Sequence, residues 1–326
     1  MTRAEALEQF QQRHKKSAED VREEFLAELR VGTGEMLERI YKAFGEIAVQ
    51  AGEQGKEDCM NFIFSLLRYD LGREKARVRL DVTNAGWMLD RDPLCTELDL
   101  TFLFRPYFRW KKELLSAMRE YMGKVNRYDV EYMVDGEIME SIRAAVYVLR
   151  YAFRDVETQA QFADIPKLPF WDIRFGEYRD WSDSVAQRYR EPRSTEEWLA
   201  KLGEDRGTLA CGHWYGAELK GGVCAGKDLQ FIVFEECVLK GIDFGKAWLS
   251  GARFLGCRLE SCSFEGTDLG MAEFRQCRFA DCCFAGADLG QAVFTPEGLE
   301  AEWFDGKKQA EMLVAVEEKE GSAGEG

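Results

Sequence analysis

Histidine is nearly missing from this 326-residue chain, which has only His14 and His213. A histidine-based triad or a multi-histidine metal centre therefore has almost no raw material. Neither histidine follows a glutamate by three residues, so the Glu-x-x-His pairs of di-iron bundles are missing too. There is no Walker loop, no GxGxxG after a strand, no HExxH and no CxxC spacing of a zinc knuckle. No catalytic residue, cofactor or metal ligand is assigned on this basis, and the chain reads as a non-enzyme. No apolar run approaches the ~18 residues of a membrane span. Met1 to Phe10 alternates charge and polarity where a signal peptide would be greasy. The expectation is a soluble, cytoplasmic protein. Basic residues are also short, with 44 against 59 acidic and a net charge of −15. That balance disfavours direct binding of nucleic acid or an anionic membrane, both of which need a basic surface.

What is present supports packed structure. The chain is 46% apolar, enough for two domains. Eight of its ten cysteines fall between Cys211 and Cys283, and without a secretory signal they read as buried thiols rather than a disulfide framework. Residues 1–160 read as a mainly α-helical domain. Val21, Phe25 and Leu29, then Met36, Leu37, Ile40, Phe44 and Ile47, recur three and four apart. Helices are expected over 18–51, broken or kinked at Gly32-Thr33-Gly34, and over 57–72, 107–123 and 129–154. Val78 to Val82 alternates as a short strand without an evident partner. Residues 161–207 read as a connector holding three of the six prolines and many aromatics, among them Phe170, Trp171, Phe175 and Trp181. A short helix over 195–202 follows, with Ser194 and Glu197 as its capping box.

From Leu209 to Phe294 an apolar residue stands at every fifth position without a miss. Sorting these centres by twenty separates four columns. One is Leu209, Leu229, Leu249, Leu269 and Leu289, and the next is Trp214, Phe234, Phe254, Phe274 and Phe294. The third is Leu219, Leu239, Leu259 and Phe279, and the fourth Cys224, Phe244, Phe264 and Phe284. Small residues such as Ala252, Cys257 and Cys277 precede the centres by two. No helix or flat strand buries period five. A coil of square section does, with one five-residue segment per side and each column stacked at the ~4.8 Å inter-strand spacing.

Segments such as Ala287-Asp288-Leu289-Gly290-Gln291 and Thr267-Asp268-Leu269-Gly270-Met271 resemble the A(D/N)LXX unit of pentapeptide-repeat proteins. The resemblance implies a right-handed quadrilateral β-helix over 208–295. The irregular units near Gly212 to Lys227 place its start either there or near 228. Residues 296–326 read as a cap, with a short helix around Lys307 to Val316 and a disordered tail. The N-terminal domain is expected to cap the other end.

The resemblance says little of function, because the consensus residues are structural. Its broadest implication is a scaffold or docking module that presents a rigid face to a protein partner. Trp248, Arg258 and Arg278, all expected to face outward, are the candidate contacts. Some members are acidic rods that mimic duplex DNA and bind DNA gyrase or a related topoisomerase. Residues 208–305 carry 15 acidic and 8 basic side chains, which suits that alternative. A rod of ~20 Å spans only about six base-pair steps, however, and Arg258 and Arg278 interrupt any acidic ladder. Dimeric members pair through a C-terminal segment, so a homodimer by that route is a further expectation. A third alternative is an enzyme or ligand binder housed in the helical domain. The cysteine columns read as small apolar fillers of the inward slot, with Cys283 the outward thiol.

Overall fold

The computed structural model describes residues 1–178, 180–204, 209–295 and 313–314. The chain divides into two compact units, Met1–Val185 and Ala186–Gly326.

The first unit is built on α1 (Arg3–Gln54). Thr2 and Glu5 form a capping box at its start, and Gly55, in the left-handed region at φ 64°, closes its end. Phe10, Val21, Phe25, Leu29, Met36, Ile40, Phe44 and Ile47 are its buried stripe. The expected break at Gly32-Thr33-Gly34 does not occur. Gly32 is instead a packing notch: a Cβ there would lie 2.7 Å from the Phe102 ring of α3 (Thr101–Ala117). The glycine lets two helices approach, and its weak helix propensity is outweighed by that contact.

A second expectation fails outright. Residues 57–72 are not a helix but β1 (Cys59–Leu66) followed by the single turn α2 (Arg68–Leu71). Phe62, Phe64 and Leu66 alternate into the core, a period of two blurred by the apolar Ile63 between them and Leu67 after them. The expected strand at 78–82 is β2 (Arg77–Thr83), and both its neighbours are now identified. It pairs antiparallel with β1 and with β3 (Leu94–Asp99). On the other side β1 pairs parallel with β4 (Lys167–Glu177), next to β5 (Ser182–Tyr189), giving the order β3-β2-β1-β4-β5. Both β4 and β5 arise from the stretch read as connector. Their aromatics enter the core, with Trp171 edge-on to Phe162 and Phe175 stacked on Phe64. The helical expectations over 107–123 and 129–154 are met by α3 and by α4 (Arg127–Ala152), whose cap is Asn126 with Asp129. The last helix of the unit is α5 (Ala160–Ala163).

The second unit takes in the end of β5 and then α6 (Thr195–Leu202), capped by Ser194 and Glu197 as expected. Its Trp198 is fully buried, 5.3 Å from Trp214 and 5.8 Å from Phe234, and donates Nε1–H to the Gly221 carbonyl at 3.1 Å. Within this unit α6 therefore closes the first coil, the place the sequence reading gave to the N-terminal domain.

The coils themselves carry two rows of three-residue strands. One row is β6 (His213–Tyr215), β8 (Val233–Glu235), β10 (Arg253–Leu255), β12 (Glu273–Arg275) and β14 (Val293–Phe294). The other is β7 (Glu218–Lys220), β9 (Val238–Lys240), β11 (Arg258–Glu260) and β13 (Arg278–Ala280). Every pairing is parallel and displaced by twenty residues, as in Phe234↔Phe254↔Phe274. The ladder starts at β6, so the irregular units belong to the solenoid. Phenylalanines stack down the bore, with Phe254 and Phe274 at 4.5 Å and Phe264 and Phe284 at 4.7 Å. The corners take positive φ, and at Gly251 (φ 69°) the Phe231 ring fills the space a Cβ would need.

The expected helix at 307–316 lies outside the described residues except for Leu313–Val314, which form a strand, β15, parallel to β14. The tail also lies outside them.

Candidate interaction surfaces

The outward rows of the solenoid are built from the residues flanking each centre, and each row has its own chemistry. Beside the β7–β13 ladder the charges neutralise one another. Glu218 pairs with Lys220 at 3.2 Å and Lys240 at 3.4 Å, Lys240 reaches Glu260 at 3.5 Å, and Arg258 is bound to Glu260. Arg278 stands on the next rung with no ion-pair partner among the described residues. On the adjoining row Glu273 joins Arg253 at 3.4 Å and Arg275 at 2.9 Å.

Arg258 and Arg278 are thus exposed and face each other across β11 and β13. Trp248 is 41% exposed and bridges Asp228 and Asp268 in a different row. Ten residues separate Trp248 from Arg258, two sides of a four-sided coil, so they lie on opposite sides. The three residues chosen from sequence form two surfaces.

The acidic column is occupied structurally. Asp228, Asp268 and Asp288 each accept the N–H two residues on, from Gln230, Gly270 and Gly290, at 3.1 Å. Asp243 does the same for Gly245 at 2.9 Å. These carboxylates hold the turns.

The cysteine column is also structural. The thiols of Cys237, Cys257 and Cys277 each donate to a carbonyl of the preceding coil, those of Trp214, Phe234 and Phe254, at 3.2 Å. The neighbouring thiol Cys257 and burial push the Cys237 thiol up; burial does the same for Cys257, and raises Cys224 to about 12. Such thiols are unreactive. Cys283 is exposed, as expected.

His213 is fully buried. Its Nδ1 accepts the Tyr189 N–H at 2.8 Å, which makes Nε2 the protonated nitrogen and the donor to Glu235 at 3.0 Å. Burial lowers its pKa while Glu235 opposes the shift. One ring nitrogen thus ties the end of β5 to the first coil, and the other ties the first coil to the second. Among the described residues no group of histidine, cysteine, aspartate or glutamate could hold a metal, and no helix is long and apolar enough to cross a membrane.

The first unit has a surface that the sequence reading missed. The inner residues of β1 and β2 form the core, and their outer residues line a groove of about 430 Å³. Its floor carries Ser65, Arg79, Asp81 and Thr83, and its walls Trp87, Tyr178 and Trp181. Register places Ser65 opposite Arg79 and Ile63 opposite Asp81. The Arg79 Nε donates to Asp81 at 2.8 Å, and its guanidinium lies 5.9 Å from the Tyr178 ring. Ser65 is 3% exposed. Trp87 adopts φ 54°, a costly conformation for a bulky side chain. Behind it the loop is pinned by Asp90, which accepts from Lys56 Nζ and from the Asn84 N–H, both at 2.8 Å. Burial works against the Asp90 carboxylate, but Lys56 and the backbone donors hold its pKa below the usual range. The alternation of Arg79 and Asp81 was legible in the sequence; their facing Ser65 required the pairing.

Comparison with known proteins adds two matches to the family described as pentapeptide repeats, over residues 228–266 and 249–296. No curated protein matches the chain. Among solved structures, it is similar to QnrB1, a plasmid-mediated fluoroquinolone resistance protein, at 24% identity over 28% of this chain and 47% of that one, with a TM-score of 0.26. It is likewise similar to Rfr23, a pentapeptide-repeat protein from the cyanobacterium Cyanothece, at 19% identity over 27% of this chain and 63% of that one, with a TM-score of 0.16. HetL, a pentapeptide-repeat protein involved in heterocyst differentiation regulation from the cyanobacterium Nostoc, matches at 19% identity over 27% of this chain and 42% of that one, with a TM-score of 0.15. Each match spans less than two thirds of the other chain. Residues 209–295 of this chain form a pentapeptide-repeat β-solenoid, preceded by an N-terminal unit of helices and a five-stranded sheet.

Proposed function

We propose that the chain is a non-enzymatic protein-interaction module in which the solenoid presents a rigid face to a protein partner. The observation that carries this reading is how the solenoid spends its residues. Leucine and phenylalanine fill the bore, cysteine and alanine fill the inward slots, and aspartates hold the turns. Only the outward rows are left to act. The contact surface is the β7–β13 row, where Arg278 ends a chain of neutralised pairs with a positive charge that has no ion-pair partner among the described residues. A cytoplasmic location fits ten free cysteines.

Charge reversal tests this. Full-length protein and its Arg258→Glu/Arg278→Glu variant are used to retrieve partners from the native extract, with Trp248→Ala as the opposite-side control. Loss of one specific protein with the arginine variant alone supports the reading, whereas retention sinks this surface.

The duplex-mimic alternative draws less support, because the aspartates that would imitate phosphates are engaged by backbone N–H groups and the flanking row is charge-balanced. Gyrase supercoiling unaffected by micromolar protein would remove it. The groove, walled by Trp87 and Trp181 over a polar floor, favours a second reading, a small-ligand site in the first unit. Its mixed floor, with Arg79 and Asp81 already paired, suits a neutral polar ligand. Quenching of Trp87 and Trp181 fluorescence by a panel of neutral sugars and nucleosides, lost in Ser65→Val, is the test. No response from any member would count against it.

A further inference from the structure

The outward face of α4 carries a stripe of exposed residues running Tyr128, Tyr132, Gly136, Glu140, Arg143, Tyr147 and Tyr151. Four exposed tyrosines on one helix face are not explained by the core or by any surface described above. Tyr128 and Tyr132 are about four-fifths exposed.

The stripe reads nearly the same in both directions. Turned end for end about a point between Met139 and Glu140, Tyr128 meets Tyr151, Tyr132 meets Tyr147, and Gly136 meets Arg143. A surface that matches its own reversal is what a two-fold axis requires, since each patch must then complement itself. We infer that this face pairs with a second copy of the chain, α4 against α4 in antiparallel register over about 35 Å of helix.

The centre of the stripe supplies the fit. Gly136 has open space where a Cβ would stand. It opens a groove of about 560 Å³ between α4 and α1, lined by Tyr132, Gly136, Glu137 and Glu140 from α4 and by Glu19 and Arg22 from α1. Arg22 is already bound to Glu137, which leaves Glu19 and Glu140 as the acidic groups at the gap and Lys15 as the other basic group lining it. The second copy's arginine at position 143 enters over Gly136 and reaches Glu140, one helical turn along. Its resting contacts permit this, for Arg143 is half exposed, pairing with Glu140 at 2.6 Å and lying 5.0 Å from the Trp181 ring. Tyrosine and arginine are also the residues that interface cores favour. Covering the four rings on both copies buries on the order of 1,000 Å², the lower limit for a specific interface. An interface at that limit is of the weak, reversible class, so the concentrations to test are micromolar.

Sedimentation velocity of the full chain across that range is the test. The expected result is a mass that doubles with concentration, a monomer in Tyr132→Lys/Tyr147→Lys with an unchanged circular dichroism spectrum, and at least tenfold weaker association in Arg143→Glu. Because the pairing is reciprocal, Glu140→Arg/Arg143→Glu restores the dimer, which a folding defect would not. A monomer at every concentration overturns the inference. So does a dimer indifferent to the tyrosine substitutions, which would place the contact elsewhere, for instance in the C-terminal segment.

Discussion

A buried residue in the solenoid is packed against its own counterpart, twenty residues away on the next coil, whereas a buried residue in the first unit is packed against something unrelated and distant. Phe254 lies between Phe234 and Phe274. Phe64 meets Phe44, Phe153 and Phe175, drawn from two helices' neighbourhoods and a parallel strand more than a hundred residues on. In the first case stability is a sum of like interfaces between neighbours. In the second it depends on the closure of one mixed sheet, where no pair can be removed without exposing the others.

The largest effects should come from breaking one core at a time. Phe254→Ala removes a stacked ring from a bore without slack and should cost about 3–5 kcal/mol. Denaturant unfolding should show the loss in the solenoid's transition while that of the first unit stays in place. Phe64→Ala should cost a similar amount and shift the other transition. If both variants lower one common transition, the two units do not unfold independently.

Two glycines of α1 sharpen the contrast at about 1 kcal/mol. Gly34 has nothing within 4 Å of a built Cβ, so Gly34→Ala should stabilise the helix by about 0.5–1 kcal/mol. At Gly32 the same substitution meets the Phe102 ring at 2.7 Å, and the helical gain should turn into a loss of about 1 kcal/mol. Melting temperatures that move in the same direction for both would refute the notch.

Acid should act on the solenoid through His213. Burial keeps its folded pKa below the ordinary value, so the unfolded chain binds the proton more readily. The stability linked to this group is complete above about pH 6.5 and falls as the pH drops from there toward the lowered folded value. Unfolding of the second unit measured between neutral and mildly acidic pH should show that slope, and His213→Gln should flatten it at the cost of a generally less stable first coil.

The smallest effect is one of reactivity. Cys95 and Cys283 are the exposed thiols, and a maleimide should label two sites in the native protein, with the buried column reacting only after denaturation. Fast labelling mapped to Cys237, Cys257 or Cys277 would mean that this thiol is not held by the carbonyl of the preceding coil.

The two kinds of packing also explain what could be foreseen. The solenoid's columns, its inward small residues and the α6 capping box at Ser194 and Glu197 all follow from local or periodic spacing, so they were legible. Its first coil was ambiguous because Trp214 and Cys224 depart from the leucine and phenylalanine pattern, and only the pairing of β6 with β8 placed it in the ladder. In the first unit the strand β1 reads as a helix from sequence because Ile63 and Leu67 fall in the gaps of its alternation. Its partner β4 was mistaken for connector because Pro166 and Pro169 interrupt that stretch.

By itself the sequence determined the coil, because each five-residue step carries its own burial requirement and repeats it too often for any other period to satisfy. It determined equally the helices of the first unit that have clear caps and stripes. Tertiary structure alone decided that residues 59–66 and 167–177 are neighbouring strands and that Ser65 and Arg79 share a groove. Each of these depends on which distant segment supplies the hydrogen bonds or the opposite wall. A backbone whose polar groups must all be paired finds that partner only in the folded chain.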